Sequence, residues 1–301
     1  MTEEAKFENG GKARPPRPPW KELRESLERH GFRPSRRFGQ NFLLDENTAR
    51  AIVQDSGVGP EDRVLEVGTG CGFLTVHLAH VGLELLTVEI DKRLAEVSRP
   101  FLEPYPKVRL LEGDVLEGKH ELNREVVQWV GEEQPWHLVS NLPYAVSGPV
   151  VALCASMNNP PKSMTVLVQK ELGQRLAARH NTSNYGPLSI ITQLTCDVRM
   201  LRDVGSGSFW PRPKVDSSVV RLTLKDSIRD PKLRELAMQR IRPLFTRRRQ
   251  TMVRVMGDLG ANKAALREAL VEAGYPENTR AESMAPEELA DWVLGPHWPK
   301  G

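Results

Sequence analysis

The sequence predicts a doubly wound α/β fold, a mostly parallel sheet with an antiparallel edge, followed by a smaller all-helical domain. Three observations predict it. Five short apolar runs alternate with helix-like stretches, as strands joined by crossover helices do. A G-x-G-x-G loop, "VGTGCGF", follows the first run and opens a helical pattern. Beyond about Asp226 the strand pattern stops and only helical periodicity remains.

Residues 1–19 mix Gly, Pro and charge with almost nothing to bury, and read as a disordered arm. From Trp20, "WKELRESLERHGF" spaces Leu23, Leu27 and Phe32 at near-helical intervals and meets a plausible C-cap at Gly31. A basic loop follows, then the cluster "FGQNFL", then a second helix carrying Ile52 and Val53. Strands are expected at 63–68, 83–90, 108–115, 137–142, 164–169, 196–201 and 217–224, with helices at 73–80 and 92–102 among them. Segment 117–136 is charged and reads as a surface helix. The last two strands flank a Pro-rich loop without a full helix, which predicts an antiparallel pair closing the sheet edge. The tail reads as four helices, in "DPKLRELAMQRIRPLF", "RRRQTMVRVMGDLG", "NKAALREALVEAG" and "APEELADWVLG". The expected organisation is thus an arm at 1–19, an α/β domain at 20–225 and a helical domain at 226–301.

A chain of 301 residues with 39% hydrophobic content can bury a sizeable core. No run approaches the ~18 apolar residues a membrane span needs, and the N-terminus carries no apolar stretch like a signal peptide, so a cytoplasmic location is expected. Cys71, Cys154 and Cys196 form no C-x-x-C pair and are odd in number, which argues against a zinc knuckle or a disulfide framework. The net charge of +3 permits a nucleic-acid partner without demanding one.

Gly68, Gly70 and Gly72 allow a tight turn and close approach of a ligand to the backbone. A dinucleotide fingerprint needs its third glycine at position 73, which is Phe73, so the loop competes as an S-adenosylmethionine (SAM) site. Glu89 ends the second strand, where an acid can accept both hydroxyls of a ribose. Asp114 ends the third, where a carboxylate can accept from an adenine amino group. Each alone reads as a solvated acid; together, beside the Gly loop, they describe one crevice for a nucleoside-containing cofactor.

The fourth strand delivers "NLPY" to that crevice. An exocyclic adenine amine is a poor nucleophile because its lone pair is delocalised into the ring. The amide oxygen of Asn141 and a backbone carbonyl near Leu142 or Pro143 can accept its two N–H groups and favour a pyramidal nitrogen. Pro143 fixes its own φ and biases Leu142 to an extended shape, which aims that carbonyl. Tyr144 can stack on the purine and stabilise charge developing on nitrogen. Without the crevice, Asn-x-Pro-Tyr after a strand reads as an Asn-capped turn.

The stretches "FGQNFL", "VGTGCGFLT", "VEID", "SNLPY", "YGPLS", "FWPRPKVDSSVVRL" and "FTRRRQT" occur in this chain in the order and context of a known family. The chain resembles the ribosomal RNA adenine dimethyltransferases from about residue 20 to 295. The resemblance implies a Rossmann-like SAM-dependent methyltransferase domain. It also implies dimethylation of N6 on two adjacent adenosines in a hairpin near the 3′ end of small-subunit (16S) rRNA. It further implies that Gln40, Asn41 and Leu43 pack around the cofactor, with Gly68 at its methionine part, Glu89 at its ribose and Asp114 at its adenine, and Gly70 also binding it. Asn141 would touch cofactor and target, and Tyr144 and Phe209 would be two aromatic faces of the target pocket. By itself Phe209 reads as a core aromatic before a Pro-rich turn. Ala145, Gly148 and Pro187 depart from the residues usual in the family.

Basic clusters at Arg33/Arg36/Arg37, Arg212/Lys214 and Arg247/Arg248/Arg249 are expected to track an RNA backbone, with phosphate contacts positioning a helix while a flipped adenine is read in the pocket. The implied partners are small-subunit rRNA and the pre-30S particle. A monomer without a metal is expected. Two other classes compete: an Erm-like large-subunit rRNA methyltransferase conferring antibiotic resistance, and a non-catalytic nucleic-acid binder. Intact Asn141, Tyr144, Glu89 and Asp114 speak against lost chemistry.

Overall fold

The computed structural model describes residues 19–29, 31–35, 38–118, 121–226 and 230–299. The arm expected at 1–19 lies outside them except for Pro19, and so do Arg36 and Arg37. The chain opens with α1 (Trp20–Arg29), which buries Leu27 and ends in a turn that buries Phe32. A two-residue strand, β1 (Phe42–Leu43), precedes α2 (Glu46–Ser56). Then come β2 (Arg63–Val67), α3 (Thr75–Val81), β3 (Glu84–Glu89), α4 (Lys92–Leu102), β4 (Val108–Glu112), α5 (Arg124–Val130), β5 (His137–Asn141), α6 (Ser147–Ser156) and β6 (Ser163–Gln169). Two helices, α7 (Lys170–Leu176) and α8 (Pro187–Gln193), lead to β7 (Cys196–Val204), β8 (Phe209–Trp210) and β9 (Ser217–Leu224). The tail is α9 (Pro231–Thr246), α10 (Met252–Asp258), α11 (Lys263–Glu272) and α12 (Pro286–Leu294).

Seven strands form one sheet in the order β4-β3-β2-β5-β6-β9-β7. The first five pair in parallel, and β9 pairs antiparallel with both β6 and β7, so the expected antiparallel edge is present. Both faces of the sheet are covered, which is why its central strands read as unbroken apolar runs. On one face Leu65, Leu86, Leu138 and Met164 are buried; the other buries Val64, Leu85, Val139 and Leu167. From β2 the chain winds outward through β3 and β4, then returns to β5 on the opposite side. That reversal opens a crevice beyond the C-terminal ends of β2 and β5, the place where such sheets take ligands.

Three sequence-based expectations change. Segment 117–136 is not a surface helix: among its described residues only Arg124–Val130 is helical, and Val126, Val130 and Trp136 are buried in the main core. Its charges occupy the outer side, and the i, i+4 valine pair makes it the cover of one sheet face. The helix expected across 247–260 starts only at Met252, because the Thr251 hydroxyl accepts from Arg254 N at 3.2 Å and caps it. The boundary near Asp226 marks the end of the strands, but the core of the helical tail reaches back to Ala178, Tyr185, Ile190 and Leu194. Among the described residues no helix is long and apolar enough to cross a membrane.

Candidate active site

The crevice is a cavity of about 260 Å³ walled by the loops after β2, β3, β4 and β5 and by the segment 38–43. Gly68 turns out of β2 with φ +88°, a backbone conformation that L side chains rarely adopt. A Cβ there would also stand 3.0 Å from Pro143 Cγ, so the glycine lets two strand ends meet.

Glu89 is 4% exposed at the end of β3. Its Oε2 accepts from Gly70 N at 2.8 Å and its Oε1 from Asp91 N at 2.9 Å. Burial raises its pKa above the ordinary carboxylate value, while the two backbone N–H groups pull the other way. Asp91 caps α4, accepting from Arg93 N at 3.1 Å and pairing with the Arg93 guanidinium at 3.0 Å. Burial pushes Asp91 up, but the Arg93 bonds outweigh it and its pKa falls. The exposed Asp114 follows β4 and accepts from Leu116 N at 2.9 Å.

Gln40, Asn41, Leu43, Gly68, Gly70, Glu89, Asp114, Asn141 and Pro143, spread from position 40 to position 143, line this one cavity. Leu142, Tyr144 and Phe209 do not. Leu142 is buried, and its amide donates to Leu167 O at 3.1 Å. Tyr144 is half-buried, with its hydroxyl 2.6 Å from Ser217 Oγ. Phe209 is 4% exposed inside the apolar cluster beneath β1, its backbone opposite Leu43. In this structure Phe209 packs in the core, because β1 and β8 pair and close over it.

The two carbonyls considered for the target amine also separate. Pro143 O already accepts from Val146 N at 3.0 Å, Ser147 N at 3.1 Å and Ser147 Oγ at 2.9 Å, so it opens α6 and is removed from that role. Among the described residues Leu142 O takes only a 3.4 Å contact from Ser147 Oγ. Asn141 donates Nδ2 to Asn41 O at 3.1 Å, and its Oδ1 accepts from no protein donor among the described residues.

One residue on the cavity wall escaped sequence reasoning. Glu66, inside β2, is 1% exposed and accepts from Thr87 Oγ1 at 2.7 Å, which in turn lies 2.6 Å from Thr69 Oγ1. Burial raises its pKa to about 8. The signal was an acid in the middle of the apolar run "RVLEVG".

The cationic clusters divide. Arg212 and Lys214 are exposed on the loop after β8, with Arg212 Nε 3.0 Å from Ser206 Oγ. Arg247 pairs with Asp258 at 2.9 Å. Arg248 is bound inward, to the Glu282 carboxylate and, at 2.8 Å each, to the carbonyls of Thr182 and Ser183. It is a clamp between the tail and the α7–α8 loop. Arg249 is exposed.

The sequence model of ribosomal RNA adenine dimethylases matches residues 31–293. The chain belongs to the ribosomal RNA adenine dimethylases. This dimethylase is 34% identical over 270 residues to the ribosomal RNA small subunit methyltransferase A of Clostridium acetobutylicum, covering 88% of this chain and 95% of that one. It is 36% identical over 272 residues to the protein of the same name from Shouchella clausii, covering 88% and 90%. Among solved structures, a dimethyladenosine transferase from Plasmodium falciparum shares the fold, with TM-score 0.69 and 24% identity over 84% of this chain and 96% of that one. The dimethylase thus shares a Rossmann-like fold with that transferase, with a helical tail.

Proposed function

We propose that this dimethylase uses SAM to methylate N6 of two adjacent adenosines, twice each, in the 3′-terminal hairpin of small-subunit rRNA on the pre-30S particle. The observation that carries the reading is Asn141 at the end of β5, its Oδ1 uncommitted, on the wall of the same cavity as Glu89. Three relatives of 34–36% identity are named for the small subunit, which supports that substrate over a large-subunit one.

The donor set fits the cofactor. The Glu89 carboxylate, held by two backbone N–H groups, keeps lone pairs for the two hydroxyls of a ribose. Asp114 is placed for an adenine amino group, and Gly68 leaves backbone open to the amino-acid end. When bound, SAM supplies an electrophilic methyl group on positively charged sulfur. Asn141 Oδ1 and Leu142 O accept the two N–H groups of the target amine and turn its lone pair out of the ring. Tyr144, anchored by Ser217, offers its ring to the purine. The proton displaced from nitrogen passes to solvent. Holding both reactants in line supplies much of the rate. Arg212, Lys214 and Arg249 are the cations offered to RNA phosphates. The enzyme acts as a monomer in this reading.

The test is transfer of labelled methyl groups from SAM to under-methylated small subunits, with large subunits in parallel, followed by mapping of the modified nucleotides. Two adjacent dimethyladenosines in small-subunit rRNA are expected. Label confined to large subunits would overturn the substrate, and SAM binding without any label would leave a binding protein.

A further inference from the structure

We infer that the segment 38–41 is a positioning strap for catalysis, in which the backbone carbonyl of Asn41 sets the orientation of the Asn141 amide. The inference rests on the assignment of Asn141 Oδ1 to the target amine. It assigns to Asn41 a role beyond contact with the cofactor.

A primary amide can sit in its site two ways, exchanging its oxygen and nitrogen. Which way it sits decides whether Asn141 offers the crevice an acceptor or a donor, and only an acceptor can take an N–H group from an adenine amine. Asn41 O stands 3.1 Å from Asn141 Nδ2. The reversed amide would put two oxygens face to face at that distance, an unpaired and repulsive arrangement. The strap therefore selects the acceptor orientation before any substrate arrives, which is the preorganisation that catalysis by a positioned polar group needs.

The carbonyl of Asn41 is itself held at three points. Its own side chain donates Nδ2 to Gly39 O at 3.2 Å, closing the turn. Gly39, at φ +62°, lies so close to the loop after β5 that a Cβ would stand 2.7 Å from Ala145 N and 3.0 Å from Tyr144 N. The Gln40 side chain is held as well, its Oε1 accepting from Ser35 N at 2.7 Å. Beyond the strap, Leu43 is registered against Phe209. The strap thus reads its position from the same turn that carries Asn141 and Tyr144. The Ala145 side chain stands at the same close approach, since a Cβ on Gly39 would also lie 3.3 Å from the Ala145 Cβ.

The test compares Gly39→Ala and Asn41→Ala with wild type, Asn141→Ala and each double variant with Asn141→Ala. Two quantities are read: the SAM dissociation constant by calorimetry, and the single-turnover methylation rate on under-methylated small subunits at saturating SAM. The saturated rate is expected to fall roughly 10²-fold in the strap variants, as for a misplaced reacting group. The dissociation constant is expected to rise about fivefold at most, and the double variants to be hardly slower than Asn141→Ala alone. Should Gly39→Ala fail to fold, Asn41→Ala, which adds no atom, carries the comparison. Saturated rates equal to wild type, or losses that multiply with that of Asn141→Ala, would overturn the inference while leaving the proposed function standing. If wild type labels no rRNA, or Asn141→Ala is fully active, the assignment of Asn141 fails first and the inference falls with it.

Discussion

At the scale of single residues, two side chains divide the work of the crevice. Asn141→Ala is expected to keep the fold and SAM binding while losing most turnover; an equal loss of SAM affinity would assign the amide to the cofactor instead. Glu89→Ala is expected to raise the SAM dissociation constant about tenfold or more, ~1.4 kcal/mol, through loss of charge-assisted contacts to ribose. Because burial raises the Glu89 pKa, SAM affinity should decline on acidification at a higher pH than an exposed glutamate would give, and calorimetry across that range checks it. Glu66 carries a stability prediction. Its folded pKa near 8 stands above the ordinary 4.5, so between those values the native state holds a proton the unfolded chain has released. Its contribution to stability is therefore full below about 4.5 and is lost as pH rises through about 8. Glu66→Gln should raise the melting temperature more at pH 8 than at pH 5. Equal shifts at both pH values would contradict the assignment. Glu66 was missed because a lone acid in an apolar run does not show from sequence which way its side chain faces. Burial on both sides of β2 turned it into a wall of the cavity.

At the scale of elements, the parallel strands were legible because strands covered on both faces must be apolar at every position. The pair β1 and β8 was not legible, since two residues carry no period. Their pairing closes over Phe209, which packs in the core beneath them. The loop after β2 can be tested directly. Gly68→Ala must place a side chain at φ +88° and 3.0 Å from Pro143, and is expected to cost more than about 1 kcal/mol of stability and to weaken SAM binding. A thermal scan with and without SAM reads both. The segment 117–136 shows the converse error: charge dominates its composition, but buried Leu122, Val126, Val130 and Trp136 decide its place.

At the scale of the whole molecule, the helical tail is not an independent appendage. Tyr185, Ile190 and Leu194 bury themselves among Ile241, Met256 and Leu289, and the Tyr185 hydroxyl donates to Met284 O at 2.9 Å. Arg234, 5% exposed near the start of α9, donates to Ala155 O at 2.7 Å, Thr195 Oγ1 at 2.8 Å and Met157 O at 3.1 Å, holding the tail against the end of α6. A chain ended at residue 226 is expected to expose that core and aggregate, and the full chain to unfold in one calorimetric transition; two separated transitions would show the tail folding alone. The same joint separates two neighbouring arginines. Arg248→Ala is expected to lower the melting temperature, because it removes the clamp on Thr182, Ser183 and Glu282. Arg249→Glu is expected to leave it unchanged while weakening binding to small subunits and its salt dependence.

The sequence by itself determined the strand and helix alternation, the Gly loop, the strand-end acids and the Asn-Leu-Pro-Tyr turn, because each is local: a period, a backbone need, a residue type at a chain end. Adjacent cationic residues look alike by that measure, and so do neighbouring carbonyls. Only the tertiary structure decided that Arg248 faces inward, that Pro143 O is consumed by α6, and that Asn41 lies on Asn141 a hundred positions away. Those outcomes depend on which partners reach each polar group once the chain has closed, and hydrogen bonds are exhausted by short-range geometry that no linear pattern encodes.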